Sequence, residues 1–237
     1  MDFSDWTSLV AAISAAIAAI ASCISVFLTN QREKNNKKPI VVPGMKIFDV
    51  EIRNLLSDWG ENKEIPKKFS NTTLPICNHG NTPAFNIRYS FELESKLDQI
   101  QDEGFMQGGR YLIELKESQL YVFIKEGEYF KSEVRDVHSY TRTLDEVAPL
   151  SKTGIFIPDY YLILINYYFF NSLNKSFLSS KNKPHSLILK IMYDDINFST
   201  WVQEFKIYIP PISKFNGHNL EARIEYKKSS KRKKVKS

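Results

Sequence analysis

Few residues of this chain have the types and spacing that catalysis or metal binding requires. The four histidines are widely separated in the sequence: His79, His138, His185 and His218. Cys77 and His79 form a Cys-x-His pair, which supplies only two of the four ligands of a structural zinc site. The sequence contains no serine-hydrolase, phosphate-loop, dinucleotide-binding or H-E-x-x-H motif. We therefore expect no catalytic residue, no metal site and no cofactor, and we predict that the protein is not an enzyme.

One pair of adjacent carboxylates, Asp194 and Asp195, has the residue type from which an acid–base pair is built. Consecutive residues of a strand point to opposite faces of the sheet, however, and aspartate is favoured in turns. The next residues, Ile196 and Asn197, separate two apolar segments. We therefore interpret both aspartates as residues of a hairpin turn.

An uncharged apolar segment near the N-terminus predicts a transmembrane helix over residues 1–30. Residues 7–28 contain no charged side chain, and a helix of that length spans roughly 33 Å, slightly more than the hydrocarbon core of a bilayer. The side chains that we assign to the span include Thr7, Leu9, Ile13, Ile17, Ile20, Ile24, Phe27 and Leu28. A cleaved signal peptide is the alternative, but the basic residues that precede such a segment are missing.

The charges that flank this segment predict its orientation. Asp2 and Asp5 precede it, whereas the basic residues that follow it are Arg32, Lys34, Lys37 and Lys38. Basic residues next to a span are retained on the cytoplasmic side, so we expect a single-pass protein of the inner (cell) membrane with its N-terminus outside and its body in the cytoplasm. Cys23 in the span and Cys77 in the body cannot pair with each other, which suits a reducing compartment.

One face of the predicted helix consists of small side chains. Its members are Ala11, Ala15, Ala18, Ala19 and Ser22. Small residues four positions apart let two helices approach closely in lipid, so we predict self-association through this face and hence a homo-oligomer. The alternative is that alanine is present only because it favours helix formation.

The net charge of +5 is unevenly distributed along the chain. Residues 227–237 carry +7, residues 31–38 carry +3, and the two aspartates before the span carry −2, which leaves −3 for residues 39–226. We therefore divide the chain after the span into a basic juxtamembrane linker at residues 31–43, a β-sandwich domain at residues 44–226 and a disordered lysine-rich tail at residues 227–237.

The basic tail admits three interpretations. Its charged residues are Lys227, Lys228, Lys231, Arg232, Lys233, Lys234 and Lys236. They form a solvated disordered run, or they contact the anionic cytoplasmic leaflet together with the basic residues of the linker, or they bind nucleic acid or an acidic partner. A nuclear-import signal conflicts with a membrane span, and nucleic acid is the partner that we expect least. The contacts that we expect are the membrane, anionic lipids and a protein partner.

The body of the chain shows the pattern of a β-sandwich. Residues 84–93 alternate with period two and place one set of side chains on a common face: Phe85, Ile87, Tyr89, Phe91 and Leu93. Two later apolar segments, 186–193 and 201–209, flank the aspartate turn and predict a hairpin, whereas residues 95–109 are polar and predict a loop. Many short strands separated by turns are typical of a β-sandwich. We add one or two short helices, one of them near residues 50–59.

Residues 159–170 break the strand pattern because they are apolar on nearly all sides. The segment is too short to span a bilayer as a helix, and Pro158 before it suits the first turn of a helix. We predict a buried helix or strand, with contact to the membrane surface and a ligand cleft as the alternatives.

Two segments of the body resemble a known group of proteins. The first carries Asn78-x-Gly80-x-x-Pro83-Ala84-x-Asn86-Ile87, and the second, Leu189 to Ile196, carries a tyrosine and an aspartate before the late turn. They resemble bacterial membrane-anchored proteins that join an N-terminal span to an Ig-like β-sandwich, most of them without an assigned function. The resemblance implies a mainly-β fold with structural turn positions at Asn78, Gly80, Pro83 and Asn86. Some of these proteins are encoded beside anti-phage systems, where membrane-anchored effectors damage the inner membrane.

Two functions are consistent with these features. In the first, the chain is a membrane-anchored effector or regulator: the cytosolic β-sandwich senses or binds a partner, and the span self-associates and perturbs the inner membrane. The resemblance adds anti-phage defence to this hypothesis. In the second, the chain is a passive tether or scaffold that holds a protein or ligand at the membrane without damaging it. The small-residue face favours the effector, whereas the uniformly apolar span, which offers no polar pore lining, favours the tether.

Overall fold

The computed structural model describes residues 3–36, 38–52, 67–94, 101–106, 109–137, 140–174, 184–210 and 214–235. The helices in these ranges are α1 (Phe3–Asn36), α2 (Asp159–Asn174) and a short 3-10 helix (Phe69–Asn71). The strands are β1 (Val41–Pro43), β2 (Lys46–Glu51), β3 (Thr73–Asn78), β4 (Ala84–Leu93), β5 (Gln101–Met106), β6 (Gly109–Lys116), β7 (Gln119–Glu126), β8 (Tyr129–Asp136), β9 (Tyr140–Val147), β10 (Lys152–Phe156), β11 (Leu187–Asp194), β12 (Thr200–Tyr208), β13 (Lys214–Asn216), β14 (Asn219–Lys228) and β15 (Lys233–Lys234). The prediction of a mainly-β chain with an N-terminal apolar helix is confirmed.

Helix α1 stands apart from the rest of the described chain. Its segment Ile13–Glu33 is long and apolar enough to cross a membrane, and none of that segment is buried against the domain. The helix continues through Asn36, beyond the predicted end at residue 30, because glutamine, arginine, glutamate and lysine at residues 31–34 all favour helix. Pro39 disfavours a helical conformation in the residue before it, so the helix ends ahead of that proline.

The largest sheet has eight strands and contains the predicted late hairpin. Its order is β13-β14-β12-β11-β4-β9, with β15 paired to β12 and β2 paired to β14. β11 and β12 pair antiparallel from Leu187 opposite Ile207 to Asp194 opposite Thr200, which confirms the hairpin. Asp195 begins its turn, whereas Asp194 is the last residue of β11. Alternate side chains of β11 are buried, as the two-residue period of a strand requires.

Strand β4 carries an irregularity at Asn86. Its pairing with β11 shifts by one residue between residues 192 and 194, and Asn86 has a φ of 47°, the left-handed conformation that asparagine tolerates. Most of the predicted apolar face is buried or packs partly against the core: Ile87, Tyr89, Phe91 and Leu93. The prediction for Phe85 is wrong, because the extra residue of the bulge gives its buried position to Ala84 and leaves Phe85 half-exposed.

Strand β14 links two parts of the largest sheet. Residues 219–224 pair with β2, whereas residues 225–228 pair with β12. A separate three-stranded sheet has the order β1-β3-β10. Since β1 begins at Val41, the ordered domain starts before the predicted boundary at residue 44.

The prediction of a disordered tail is wrong through residue 235. β14 extends to Lys228, and the chain then pairs with β12 again as β15. Between the two strands, the backbone N–H groups of residues 229 and 230 both donate to the Glu204 carbonyl, at 3.0 and 3.2 Å, which has the geometry of a bulge. The Val235 N–H donates to the Thr200 carbonyl at 2.9 Å. The lysine-rich composition does not predict this order, because the hydrogen bonds that fix the tail come from the edge of β12.

The predicted loop at residues 95–109 contains strand β5. β5 pairs with β6 and opens a four-stranded meander of order β5-β6-β7-β8; residues 95–100, 107 and 108 lie outside the described ranges. The helix predicted near residues 50–59 falls partly on β2, which is a strand through Glu51, and otherwise on residues outside the described ranges.

Helix α2 is buried within the hydrophobic core. Residues 160–167 are all buried, so the helix has no solvent-facing side there and needs apolar residues all round. The Phe169 ring lies 6.4 Å from the Phe69 ring and 6.0 Å from the Phe215 ring, between centroids. The prediction of a buried element is confirmed, and the element is a helix.

Candidate functional site

The linker from α1 and several loops lie together at one end of the domain. Strand pairing places them there: Val41 lies opposite Asn78, Ala84 opposite Val147, and Trp201 opposite Lys234. We call this the proximal end, and it comprises residues 38–40, 79–83, 148–151, 195–199 and 229–235. The linker residues 38–40 lie at its centre, so the path from α1 into the domain is in contact with segments distant in the sequence.

Asn78 is the central hydrogen-bonding residue of this end. It is fully buried at the end of β3, where its Nδ2 donates to the carbonyls of Thr82 and Val147 at 2.8 and 3.1 Å. Its Oδ1 accepts the N–H groups of Ile40 and Gly80 at 3.1 and 2.9 Å. The asparagine predicted as a turn residue therefore ties the linker, the β3–β4 turn and strand β9 together.

Gly80 lets the linker approach the β3–β4 turn closely. A Cβ atom at this position would lie 2.5 Å from the Lys38 carbonyl oxygen, 2.6 Å from Pro39 Cα and 2.7 Å from the Ile40 nitrogen. All three atoms belong to the backbone and cannot move aside as a side chain would. The predicted structural glycine is therefore required by contact with the linker, in addition to its place in the turn.

The carbonyl of Pro39 is bound from two directions. It accepts the Tyr193 hydroxyl at 3.2 Å and Arg232 Nη1 at 2.8 Å. Burial raises the pKa of Tyr193, although the charge of Arg232 acts in the opposite sense, so the hydroxyl stays protonated and able to donate. One linker atom is thus held by the end of β11 and by the C-terminal tail.

Arg232 also lies against two aromatic rings. Its guanidinium carbon is 4.1 Å from the centroid of the Trp201 ring and 5.7 Å from that of Tyr193. Lys38 Nζ lies 5.4 Å from the same Trp201 ring. Cations over an indole face are attracted by its quadrupole. Trp201 therefore binds Lys38 from the start of the body and Arg232 from its end. We refer to these side chains and the linker as the junction: residues 38–40, Asn78, Gly80, Tyr193, Trp201 and Arg232.

Asp195 fixes the β11–β12 loop beneath Trp201. Its carboxylate accepts Trp201 Nε1 at 2.8 Å and the backbone N–H groups of Asn197 and Ser199 at 2.9 and 3.0 Å. Burial alone would raise the pKa of this carboxyl, but the three hydrogen bonds and the charge of Lys234 together lower it below its ordinary value. Asp195 is therefore a structural anion in the turn, as the sequence suggested.

The lowered pKa of Asp195 predicts an acid-dependent loss of stability. A carboxyl whose pKa is lower in the folded state stabilises the fold above its unfolded pKa of about 3.9, and this contribution is lost as the pH falls through the folded-state value. In thermal unfolding of the full chain, we expect Asp195→Asn to lower Tm at pH 7 and the difference from wild type to shrink below about pH 4. Asp145→Asn, at an exposed carboxyl, is the matched control. A difference that is constant from pH 3 to pH 7 would contradict the assignment.

The predicted lipid-contacting residues are distributed over both ends of the body and the helix. Several lie exposed or half-buried at the proximal end: Lys38, Lys231, Lys233 and Lys234. Arg32 is exposed on α1, and residues 227 and 228 are exposed on β14. Arg232 is half-buried and committed to the junction. Residues 37 and 236 and the side chain of Lys34 lie outside the described part of the chain.

The predicted span side chains are exposed where the structure describes them. On the apolar side these are Ile13, Ile17, Ile20, Ile24, Phe27 and Leu28, and on the small-residue side Ala15, Ala18, Ala19 and Ser22. The side chains of Thr7, Leu9 and Ala11 lie outside the described part. Ser22 Oγ donates to the Ala18 carbonyl at 2.9 Å, which satisfies this hydroxyl within the helix.

The remaining candidate groups do not converge. Among the described residues, no three His, Cys, Asp or Glu side chains lie close enough to hold a metal ion, and Cys23 and Cys77 are both free. An open hollow of about 340 Å³ lies beside the β4 bulge, with Asn86, Arg88, Thr143, Leu144, Asp145 and Asp194 along its walls. Asn86 Nδ2 donates to Asp194 Oδ2 there at 3.0 Å, so part of its polar lining is already satisfied.

The turn motif in the sequence marks Asn78 and Gly80, but no local motif marks their partners in the junction. Pro39, Tyr193 and Arg232 are separated by as many as 193 residues, and no local pattern connects them. One sequence signal points towards the junction. It is the presence of Trp201 after the aspartate turn together with basic residues at both ends of the body. No family model, no curated protein and no solved structure matches this chain.

Proposed function

We propose that this chain is a membrane-anchored effector or regulator in which the state of the β-sandwich controls self-association of α1 and thereby the integrity of the membrane. The observation that carries this proposal is the junction. Only four residues separate α1 from β1, and three of them, residues 38–40, are held by buried or half-buried groups of the domain. A short, fixed connection transmits a change in the domain to the helix, whereas a flexible linker would absorb it.

The location and orientation in this proposal are supported by α1 and its flanking charges. The helix is apolar and uncovered by the described domain, and the basic residues after it favour a cytoplasmic body in a bacterial inner membrane. The resemblance of the segments around Asn78 and Tyr193 to membrane-anchored bacterial proteins supports a role in anti-phage defence. The mildly acidic domain would then bind the protein partner that acts as the trigger.

The proposed activity predicts membrane depolarisation that depends on the small-residue face of α1. We expect overexpression of the full chain to depolarise bacterial cells loaded with a potential-sensitive dye. Replacing Ala11, Ala15 and Ala19 by leucine should reduce the depolarisation at least fivefold, because bulky side chains keep helices apart in lipid. The control exchanges Ile13 and Ile17 for leucine, which preserves hydrophobicity and leaves the small face intact. Equal depolarisation by both variants would contradict self-association through this face.

The same assay tests the junction. Arg232→Gln removes the contacts to Pro39 and Trp201, so we expect it to weaken depolarisation at equal membrane abundance. Lys231→Gln removes the same charge from the exposed neighbouring position and should have no effect. If both variants behave like wild type, the junction does not couple the domain to the helix.

A passive tether is the second candidate function. The bond from Ser22 to the Ala18 carbonyl supports it, because it satisfies one of the few polar side chains of the span inside the helix and leaves it unavailable to line a pore. In this case the full chain reaches the membrane but causes no depolarisation at any expression level. The β-sandwich would then hold a protein or ligand at the membrane without harming it.

A further inference from the structure

We propose that the loops of the proximal end dock onto the surface of the bilayer that α1 crosses, with Phe198 and Leu150 entering the headgroup layer. This inference rests on the membrane anchoring in the proposed function, but on neither depolarisation nor self-association. It gives the domain a fixed orientation on the lipid surface, with the large sheet standing up from the membrane.

Exposed apolar side chains are concentrated at this end of the domain. Outside α1, five of the nine exposed large hydrophobic residues in the described ranges belong to it: Ile40, Leu150, Ile196, Phe198 and Val235. Phe198 is 83% exposed and Leu150 is 75% exposed, the two highest values of the nine. Exposed apolar groups gathered at one end of a domain indicate a surface that is covered in the working state.

The two most exposed side chains also occupy an unfavourable backbone conformation. Phe198 has a φ of 54° and Leu150 a φ of 52°, in the left-handed region that glycine and asparagine adopt at lower cost than a bulky residue. Neither side chain is buried in the domain, so packing within the fold does not explain why a phenylalanine and a leucine stand there. Burial in lipid would give both apolar side chains a function at these positions, since strained backbone conformations cluster at functional sites.

The position of α1 identifies the membrane as the occupant. The Asp195–Ser199 loop that carries Phe198 is held under Trp201, and Trp201 in turn contacts Lys38. Lys38 follows Asn36, the last residue of α1, by two residues, a distance of at most about 7 Å. The apolar segment of α1 ends at Glu33, and the three residues from there to Asn36 add about 4.5 Å of helix. Lys38 therefore lies within roughly 12 Å of the end of the span. The loops around Lys38 emerge on this side of the domain, and a tilt of the helix of about 20° would bring one side of them closer to the lipid.

The charges at the proximal end fit an anionic surface on one side. Lys38, Lys233 and Lys234 are grouped around the β12–β15 edge, close to Phe198. Two exposed carboxylates, Asp145 and Glu146, lie on β9 at the opposite edge of the sheet, towards Leu150. The domain should thus approach anionic lipid with its β15 side. Phe198 and Leu150 should supply an apolar contact with the lipid that high salt does not remove.

The test measures the depth of single labels in the full chain reconstituted into vesicles of phosphatidylethanolamine and phosphatidylglycerol. In a Cys23→Ser, Cys77→Ser background, an environment-sensitive fluorophore is attached through Phe198→Cys, Leu150→Cys or Asn216→Cys. Asn216 is the control because its exposed turn lies at the far end of β14, about 30 Å along that strand from Lys228. We expect lipids with a quencher near the headgroup to quench the labels at 198 and 150 at least twofold more than the label at 216.

A second set of variants separates docking from folding. The double variant Phe198→Asn, Leu150→Asn should leave the fold intact, because asparagine suits the left-handed conformation. The control is Phe156→Asn, which removes another exposed phenylalanine at the distal end of β10. With the label at Ile196→Cys, the double variant should lose the quenching and Phe156→Asn should retain it.

Two results would overturn the inference. In the first, the protein floats with the vesicles but none of the labels is quenched, which leaves the anchor intact and removes the docking. In the second, the emission of the labels at 198 and 150 changes with the density of protein in the vesicles, but the lipid quenchers have no effect. That result would assign Phe198 and Leu150 to contacts between copies of the chain. Since the depolarisation assay is separate, either result leaves the proposed function to be judged by that assay alone.

Discussion

Replacing Asn78 by alanine is expected to lower the free energy of unfolding of the domain by about 4 kcal/mol. The side chain is fully buried and makes four hydrogen bonds to backbone groups of three segments. Alanine removes these bonds and leaves buried N–H and C=O groups without a partner, which costs more than the bonds themselves contribute. Thermal unfolding of the detergent-solubilised full chain should show a decrease in Tm of about 8–16 °C.

Asn81→Ala is the control for this prediction, because Asn81 is exposed in the same turn. It should change Tm by no more than about 2 °C, as is usual for a surface substitution. A decrease for Asn78→Ala as small as that for Asn81→Ala would mean that the linker is not held through this side chain.

Gly80→Ala is expected to have the second largest effect, a loss of about 3 kcal/mol together with release of the linker. The added methyl group would overlap backbone atoms of residues 38–40, so the linker has to move away from the turn. The bonds from Ile40 N to Asn78 Oδ1 and from His79 N to the Ile40 carbonyl are then lost. Hydrogen exchange of the Ile40 and His79 amides should accelerate at least tenfold.

Gly127→Asn provides the comparison for this substitution. Gly127 has a φ of 61°, and a Cβ atom added there would meet no other atom within 4 Å; asparagine tolerates that backbone conformation. In this variant, amide exchange at residues 40 and 79 should match that of wild type. Unchanged exchange in Gly80→Ala would show that the linker is free of the β3–β4 turn.

Local signals were sufficient to predict most of the elements of the fold. The alternation in β4, the aspartate turn between β11 and β12 and the almost entirely apolar α2 each follow from side chains close together in the sequence. Phe85 was misplaced because one extra residue at Asn86 reverses the alternation, and a bulge has no signal in hydrophobic periodicity.

Long-range contacts account for what the sequence did not predict. The order of residues 229–235 depends on the edge of β12, and the role of Arg232 depends on the Trp201 ring and the Pro39 carbonyl. The composition of a lysine-rich segment predicts a solvated tail. Only a neighbouring strand that supplies hydrogen bonds makes the segment ordered. For the same reason Asn78 and Gly80 were recognised as turn residues, but not as the residues that receive the linker.

The pairing of β15 beside the linker has a consequence for biosynthesis. α1 precedes the domain in the chain, so it is available to insert into a membrane while the strands of the domain are still being translated. Arg232 and β15 are translated after the other described strands of the domain, yet they close the contact that fixes Pro39. Each newly made copy therefore has a period in which α1 is complete but the body is not yet fixed to the linker that follows it. The coupling between the two halves is established only after residues 232–234 have been translated, and a chain that terminates before them never acquires it.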